Sequence, residues 1–135
     1  MRIVLSLLLV AVALVLIPTP CRAQDFKPYP GAKLDEQASR DASAAAADKE
    51  SQVFTTDDAY DRVYAFYKAL YKEGEMRYPA RGPAGIPVKM SFFLIDGGKD
   101  LRSSKYWMKV QRPFIYKPDG KDVRDVTVIQ TVRSK

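Results

Sequence analysis

Beyond residue 23 the chain contains neither cysteine nor histidine: its one cysteine is Cys21, and histidine is absent throughout. That excludes a cysteine nucleophile, an imidazole general base, a disulfide framework and a zinc site built from the usual ligands. Tryptophan is almost absent too, with Trp107 the only one. What stays available for chemistry is a set of carboxylates, lysines, arginines and tyrosines.

The first 23 residues read as a secretory signal. Arg2 supplies a positive start, residues 3–17 run without a charge, and Pro18 and Pro20 interrupt a helix. Cys21 and Ala23 then stand at −3 and −1 of a cleavage site before Gln24. A spanning helix needs about 20 apolar residues, so this run is short for a permanent anchor and no other segment supplies one. Pro20 in place of a small residue before Cys21 argues against lipidation of that cysteine. The expectation is an exported protein, periplasmic or extracellular, whose mature chain of residues 24–135 forms one domain. A chain of that length buries roughly two-thirds of its unfolded surface, so packing can hold it without staples.

Charge is uneven. Residues 24–75 hold seven basic and eleven acidic side chains, whereas residues 76–135 hold thirteen and five. A basic half attracts anionic polymers or lipid headgroups. Folding can equally interleave the two halves so that they compensate.

Residues 24–50 form an extended segment. Pro28-Tyr29-Pro30-Gly31 is turn chemistry, and residues 34–50 are alanine-rich with little to bury, a tether or frayed helix. Residues 51–135 are expected to be a single α+β domain. Thr55 and Thr56 ahead of Asp57 and Asp58 start a helix that runs to Lys72 or Glu73 and stops at Gly74. Residues 75–87, rich in proline and glycine, make a loop. Strands follow at residues 88–96, 105–111 and 123–132, with residues 52–55 or 32–34 as an extra edge. The expected fold is α+β, one main amphipathic helix packed on an antiparallel sheet of three to four strands.

Three surfaces invite ligands: the loop at residues 75–87, a tyrosine stripe and a patch around Trp107. Tyr60, Tyr64, Tyr67 and Tyr71 fall at helical spacing on one stripe, beside Ala59, Val63, Phe66 and Leu70, which are expected to form the deepest core face. The tyrosines suit the rim between helix and sheet, or an aromatic ridge in which Tyr60, Tyr64 and Tyr71 stack on a ligand. Trp107 alternates with Lys109 and Gln111, opposite Tyr106, Met108 and Val110. With Lys105, Lys109 and Arg112 it would make a cationic–aromatic surface suited to an anionic glycan, a lipid or single-stranded nucleic acid, and the partners expected for the protein are an anionic glycan, a lipid or another envelope protein. Covered instead, that surface would be a second small core. No RNP-type, zinc-finger or helix-turn-helix pattern points to nucleic acid.

For catalysis only Asp96 and Asp100 stand out, flanking Gly97-Gly98 at a strand end, where a carboxylate pair could serve a hydrolase. An aspartate before Gly-Gly is also a turn former bonding backbone amides. Spacing for a calcium loop, a serine hydrolase or a phosphate loop is missing, and no cofactor or metal is implied. The leading expectation is a non-catalytic binding module of the bacterial envelope. The alternatives are that carboxylate hydrolase and a structural accessory of an envelope complex.

The motifs Tyr29-Pro30-Gly31-Ala32, Thr56-x-Asp58 and Val63-x-x-Phe66-Tyr67-Lys68 resemble those of a group of small exported bacterial proteins. Their mature region opens with a "YPGA" turn and continues into a "T-x-D … V-x-x-F-Y-K" helix before a β-rich half. The resemblance implies export and an α+β fold. It implies no activity and transfers no functional residue.

Overall fold

The computed structural model describes residues 25–75 and 81–135. The expected signal at 1–23 and part of the expected loop, residues 76–80, lie outside the described residues. After a turn at Pro28–Gly31 come β1 (Lys33–Leu34), α1 (Glu36–Ala44), β2 (Lys49–Thr56), α2 (Tyr60–Lys68) and β3 (Lys72–Gly74). A helical turn at Pro83–Gly85 precedes β4 (Lys89–Leu94), β5 (Tyr106–Arg112), β6 (Phe114–Ile115), β7 (Val123–Arg124) and β8 (Thr127–Ser134). Six strands make one antiparallel sheet in the order β1-β2-β8-β5-β4-β3, and β6 and β7 form a separate hairpin.

The expected single helix on three to four strands is therefore wrong. The protein is mostly β, with two nine-residue helices. Strands do form at β4 and β5, but the expected strand at 123–132 is split, residues 123–124 pairing with β6 and only β8 joining the sheet, and β2 is no edge. It pairs with β8 over its whole length, from Lys49↔Ser134 to Thr56↔Thr127, and β1 adds outside it. Nothing local in the polar run Lys49–Thr56 announces a partner at the far end of the chain. α2 is also shorter than its periodicity suggests. Lys72–Gly74 pairs with Leu94–Phe92, and a ladder position outweighs the modest gain of another helical turn. Gly74 is not a helix stop but a close approach: a Cβ there would meet Leu101 Cγ at 3.3 Å.

One face of the sheet carries α2. Val63, Tyr67 and Tyr71 pack on Phe93, Ile95, Met108, Val110 and Ile129. The deepest helix residues are Val63 and Tyr67, fully buried, while Phe66 and Leu70 sit at the margin and Ala59 is exposed, contrary to the expected core stripe. A phenol goes inside because its hydroxyl finds a partner: Tyr67 Oη donates to Lys27 O at 3.0 Å. The motifs behind the resemblance meet each other here. Tyr29 Oη donates to Asp58 Oδ2 at 2.6 Å, and the Tyr29 ring meets Phe66 edge-on at 5.2 Å.

The alanine-rich segment, expected as a tether, is ordered as α1 along the outer edge of β2. Asp35 caps it by accepting from Ala38 N–H at 2.9 Å. Ser39 and Ser43, one turn apart, then act in place of a neighbouring strand. Ser39 Oγ accepts from Val53 N–H at 2.8 Å, and Ser43 Oγ accepts from Ser51 N–H at 3.0 Å and donates to Ser51 O at 3.2 Å. The small alanines allow this approach, with Ala38 buried against Val53 and Val128. An open strand edge is a template for association, and these hydroxyls close it. The double change S39A/S43A leaves two β2 amides unpaired and should cost about 2 kcal/mol while promoting dimers. Urea unfolding with size-exclusion chromatography checks this; an unchanged midpoint with a monomeric elution would refute the edge role.

Candidate functional site

The second face of the sheet is covered at its margins, and the side chains at its centre are half-buried among the described residues. α1 lies over Val53 and Val128. The β6–β7 hairpin adds Phe114 and Tyr116, held by Arg124 Cζ 4.6 Å above the Tyr116 ring, by Arg124 to Asp35 at 3.5 Å and by Tyr116 Oη to Asp41. Leu101, from the connection after β4, packs near Gly74 and Leu94 at another margin. Gly82 approaches Ile115 and Val88 so closely that a Cβ would meet them at 2.7 and 3.0 Å, which brings the loop ahead of β4 against the hairpin.

Inside this frame lie Met90, Phe92, Trp107, Lys109 and Gln130, all half-buried. Register places them together. Lys109 stands between Phe92 on β4 and Gln130 on β8, and Trp107 stands between Leu94 and Val132. The Trp107 and Phe92 rings meet edge to face at 5.7 Å. Lys105 continues the alternation just before β5 and is exposed. Burial alone pushes the Lys109 ammonium below its ordinary pKa; no acid or acceptor among the described residues offsets it. The face thus holds a half-buried cation next but one to an indole along β5.

Of the cationic–aromatic set, Trp107 and Lys109 share a face of β5, Lys105 stands exposed in the bend just before that strand, and Arg112 lies on the other face. Alternation puts Arg112 with Tyr106, Met108 and Val110 on the α2 face, where it is spent on structure. It donates to Asp57 O, Asp58 O, Thr127 Oγ1, Asp125 Oδ1 and Asp125 O at 3.0–3.2 Å. Phe92 and Gln130 are the members sequence reasoning missed. One signal existed: Gln130 interrupts the apolar alternation of Val126, Val128 and Val132.

The tyrosine ridge is not a free platform. Tyr71 is buried, its hydroxyl donating to Asp25 O and accepting from Lys27 N–H. Tyr60 and Tyr64 are half-buried and stack on each other at 5.9 Å, Tyr60 Oη bonding Ser91 and Tyr64 Oη donating to Glu73. Tyr60 also lines a cleft of about 460 Å³ with Val88, Lys89 and Arg112. The cations there already have acids, Lys89 with Asp61 at 3.5 Å and Arg112 with Asp125 at 3.1 Å, so the cleft offers no uncompensated charge.

Asp96 and Asp100 are turn formers. Asp96 Oδ1 accepts from Ser104 Oγ at 2.6 Å and Gly98 N–H at 3.0 Å, and Oδ2 from the amides of Lys105 and Tyr106. Partial burial opposes the charge, but these bonds outweigh it and hold the carboxyl below its usual range. Asp100 is held low chiefly by the Ser103 amide and hydroxyl. A carboxylate so saturated is a poor general base. Because the folded-state pKa of Asp96 lies below the unfolded value of about 3.9, its stabilisation is complete above that pH and is lost as pH falls further. D96N should cost about 2 kcal/mol at neutral pH, with the gap to the parent narrowing in acid. Urea unfolding across acidic pH reads this, and a constant gap would refute it.

Among the described residues no cluster of acidic side chains could hold a metal ion, and no helix is long and apolar enough to cross a membrane. No protein-family model, no curated protein and no solved structure matches the chain.

Proposed function

We propose that the chain is a small exported binding protein of the bacterial envelope, without a catalytic step, and that Trp107, Lys109 and Lys105 receive an anionic ligand. One observation carries this reading: Lys109 stands half-buried between Phe92 and Gln130, next but one to Trp107 on the same strand face, with no acid paired to it among the described residues. Burial works against an ammonium at this position, and an incoming anion offsets that cost. Trp107 gives the ligand a flat apolar partner beside the charge. The saturation of Asp96 and the absence of cysteine and histidine from residues 24–135 both weigh against a chemical step.

As the sole tryptophan, Trp107 reports on its own site. Its emission should shift on titration with an anionic polymer such as polygalacturonate or with anionic vesicles, more weakly as salt rises. By calorimetry, W107A should bind about tenfold more weakly, as expected for loss of a stacked aromatic. Flat titrations with every anionic probe at low salt would overturn the reading.

A further inference from the structure

Resting on that reading, we infer that the ligand is a linear acidic polysaccharide, laid along β5 so that a sugar ring stacks on Trp107 and a carboxylate reaches Lys109. Trp107 and Lys109 share one face of β5, and Lys105 stands in the bend two residues ahead of Trp107, which places the two cations up to roughly 13 Å apart along the backbone on either side of the indole. A row of charge, ring and charge fits an extended chain with anionic groups on either side of a stacked unit. Gln130, across from Lys109, adds an amide that both donates and accepts, which suits sugar hydroxyls.

The surroundings favour a single chain over other anionic surfaces. α1, Leu101 and the β6–β7 hairpin frame the centre, so a flat bilayer is kept from the half-buried Lys109. Among the described residues the exposed large apolar side chains are Leu34 and Val123, on β1 and β7, and none lies at that centre to insert into lipid. A protein partner needs about 800 Å² of surface per side, far more than five half-buried side chains offer.

The test uses the protein with short oligogalacturonates, a neutral oligosaccharide of equal length, anionic vesicles and oligothymidylate. Oligogalacturonate should bind and the neutral sugar should not. K109M should bind about tenfold or more weakly, as expected for loss of a charge-assisted bond, and K105Q only a few-fold, since its charge is screened. K109M should also unfold at a temperature equal to or above the parent, because it removes a charge that burial disfavours at nearly constant volume. Binding of vesicles or oligothymidylate but not oligogalacturonate would overturn the polysaccharide and leave the anion site standing. No binding to any probe, or a destabilised K109M, would overturn both.

Discussion

Tyr67→Ala should remove a large share of the molecule's margin of stability, at a cost of about 3–5 kcal/mol. Domains of this size are held by roughly 5–15 kcal/mol, so the variant should be far less stable than the parent and partly unfolded on mild heating. Tyr67 is fully buried where α2 meets the sheet. Its ring stacks with Phe26 at 6.1 Å and with Tyr71 at 6.0 Å, meets Phe66 edge-on at 4.9 Å, and approaches Phe93 at 6.3 Å. Truncation leaves a cavity that four aromatic neighbours cannot readily collapse into, and it also strands Lys27 O. Tyr67→Phe separates the two contributions: it keeps the ring, loses only the hydroxyl bond and should cost about 1 kcal/mol. Urea unfolding followed by tyrosine near-ultraviolet circular dichroism measures both. A Tyr67→Ala midpoint close to the parent would mean that this ring is not the centre of the core.

Arg112→Ala should cost about 2–3 kcal/mol, a large effect for a residue at the end of a strand. Its ion pair with Asp125 explains little of this, because Asp125 is 90% exposed and exposed pairs contribute about 0–1 kcal/mol. The larger share comes from the Asp57 and Asp58 carbonyls, which face Arg112 in the turn that enters α2. Thr127 Oγ1 joins the same group, donating to Asp58 O at 2.6 Å and accepting from Arg112 at 3.2 Å. One guanidinium therefore ties β5, β8 and the start of α2. Arg112→Lys should recover little, since a single ammonium cannot fan out to all these acceptors. Binding of oligogalacturonate should persist in Arg112→Lys, because Arg112 lies on the opposite face from Lys109. Chemical unfolding within about 0.5 kcal/mol of the parent for Arg112→Ala would refute the clamp.

Alternation in residues 105–111 placed Trp107 and Lys109 on one face and Met108 and Val110 on the other, and the structure keeps that division. Arg112 fell outside the set because it stands at an even position, opposite in parity to Lys105 and Lys109. Its basic charge suggested a surface role, but the aspartate carbonyls that consume it are 54 and 55 residues away in sequence. Tyr71 was misplaced for a similar reason. Helical spacing continued the stripe to it, whereas the helix ends at Lys68 and the hydroxyl is drawn to Asp25 O and Lys27 N.

Local pattern carries the periodicities, the turn residues and the exclusions: the faces of β5, the Asp96 turn, the strand-forming runs at β4 and β5, and a chain after residue 23 without thiol or imidazole. These depend on neighbours a few residues apart, which a single chain displays. Only the tertiary structure decided that β2 joins β8, that α1 replaces a strand along the β2 edge, and that Phe92 and Gln130 flank Lys109. Such pairings depend on which distant surfaces meet. Ser39 reads as an ordinary helical serine until the amide of Val53 arrives beside it.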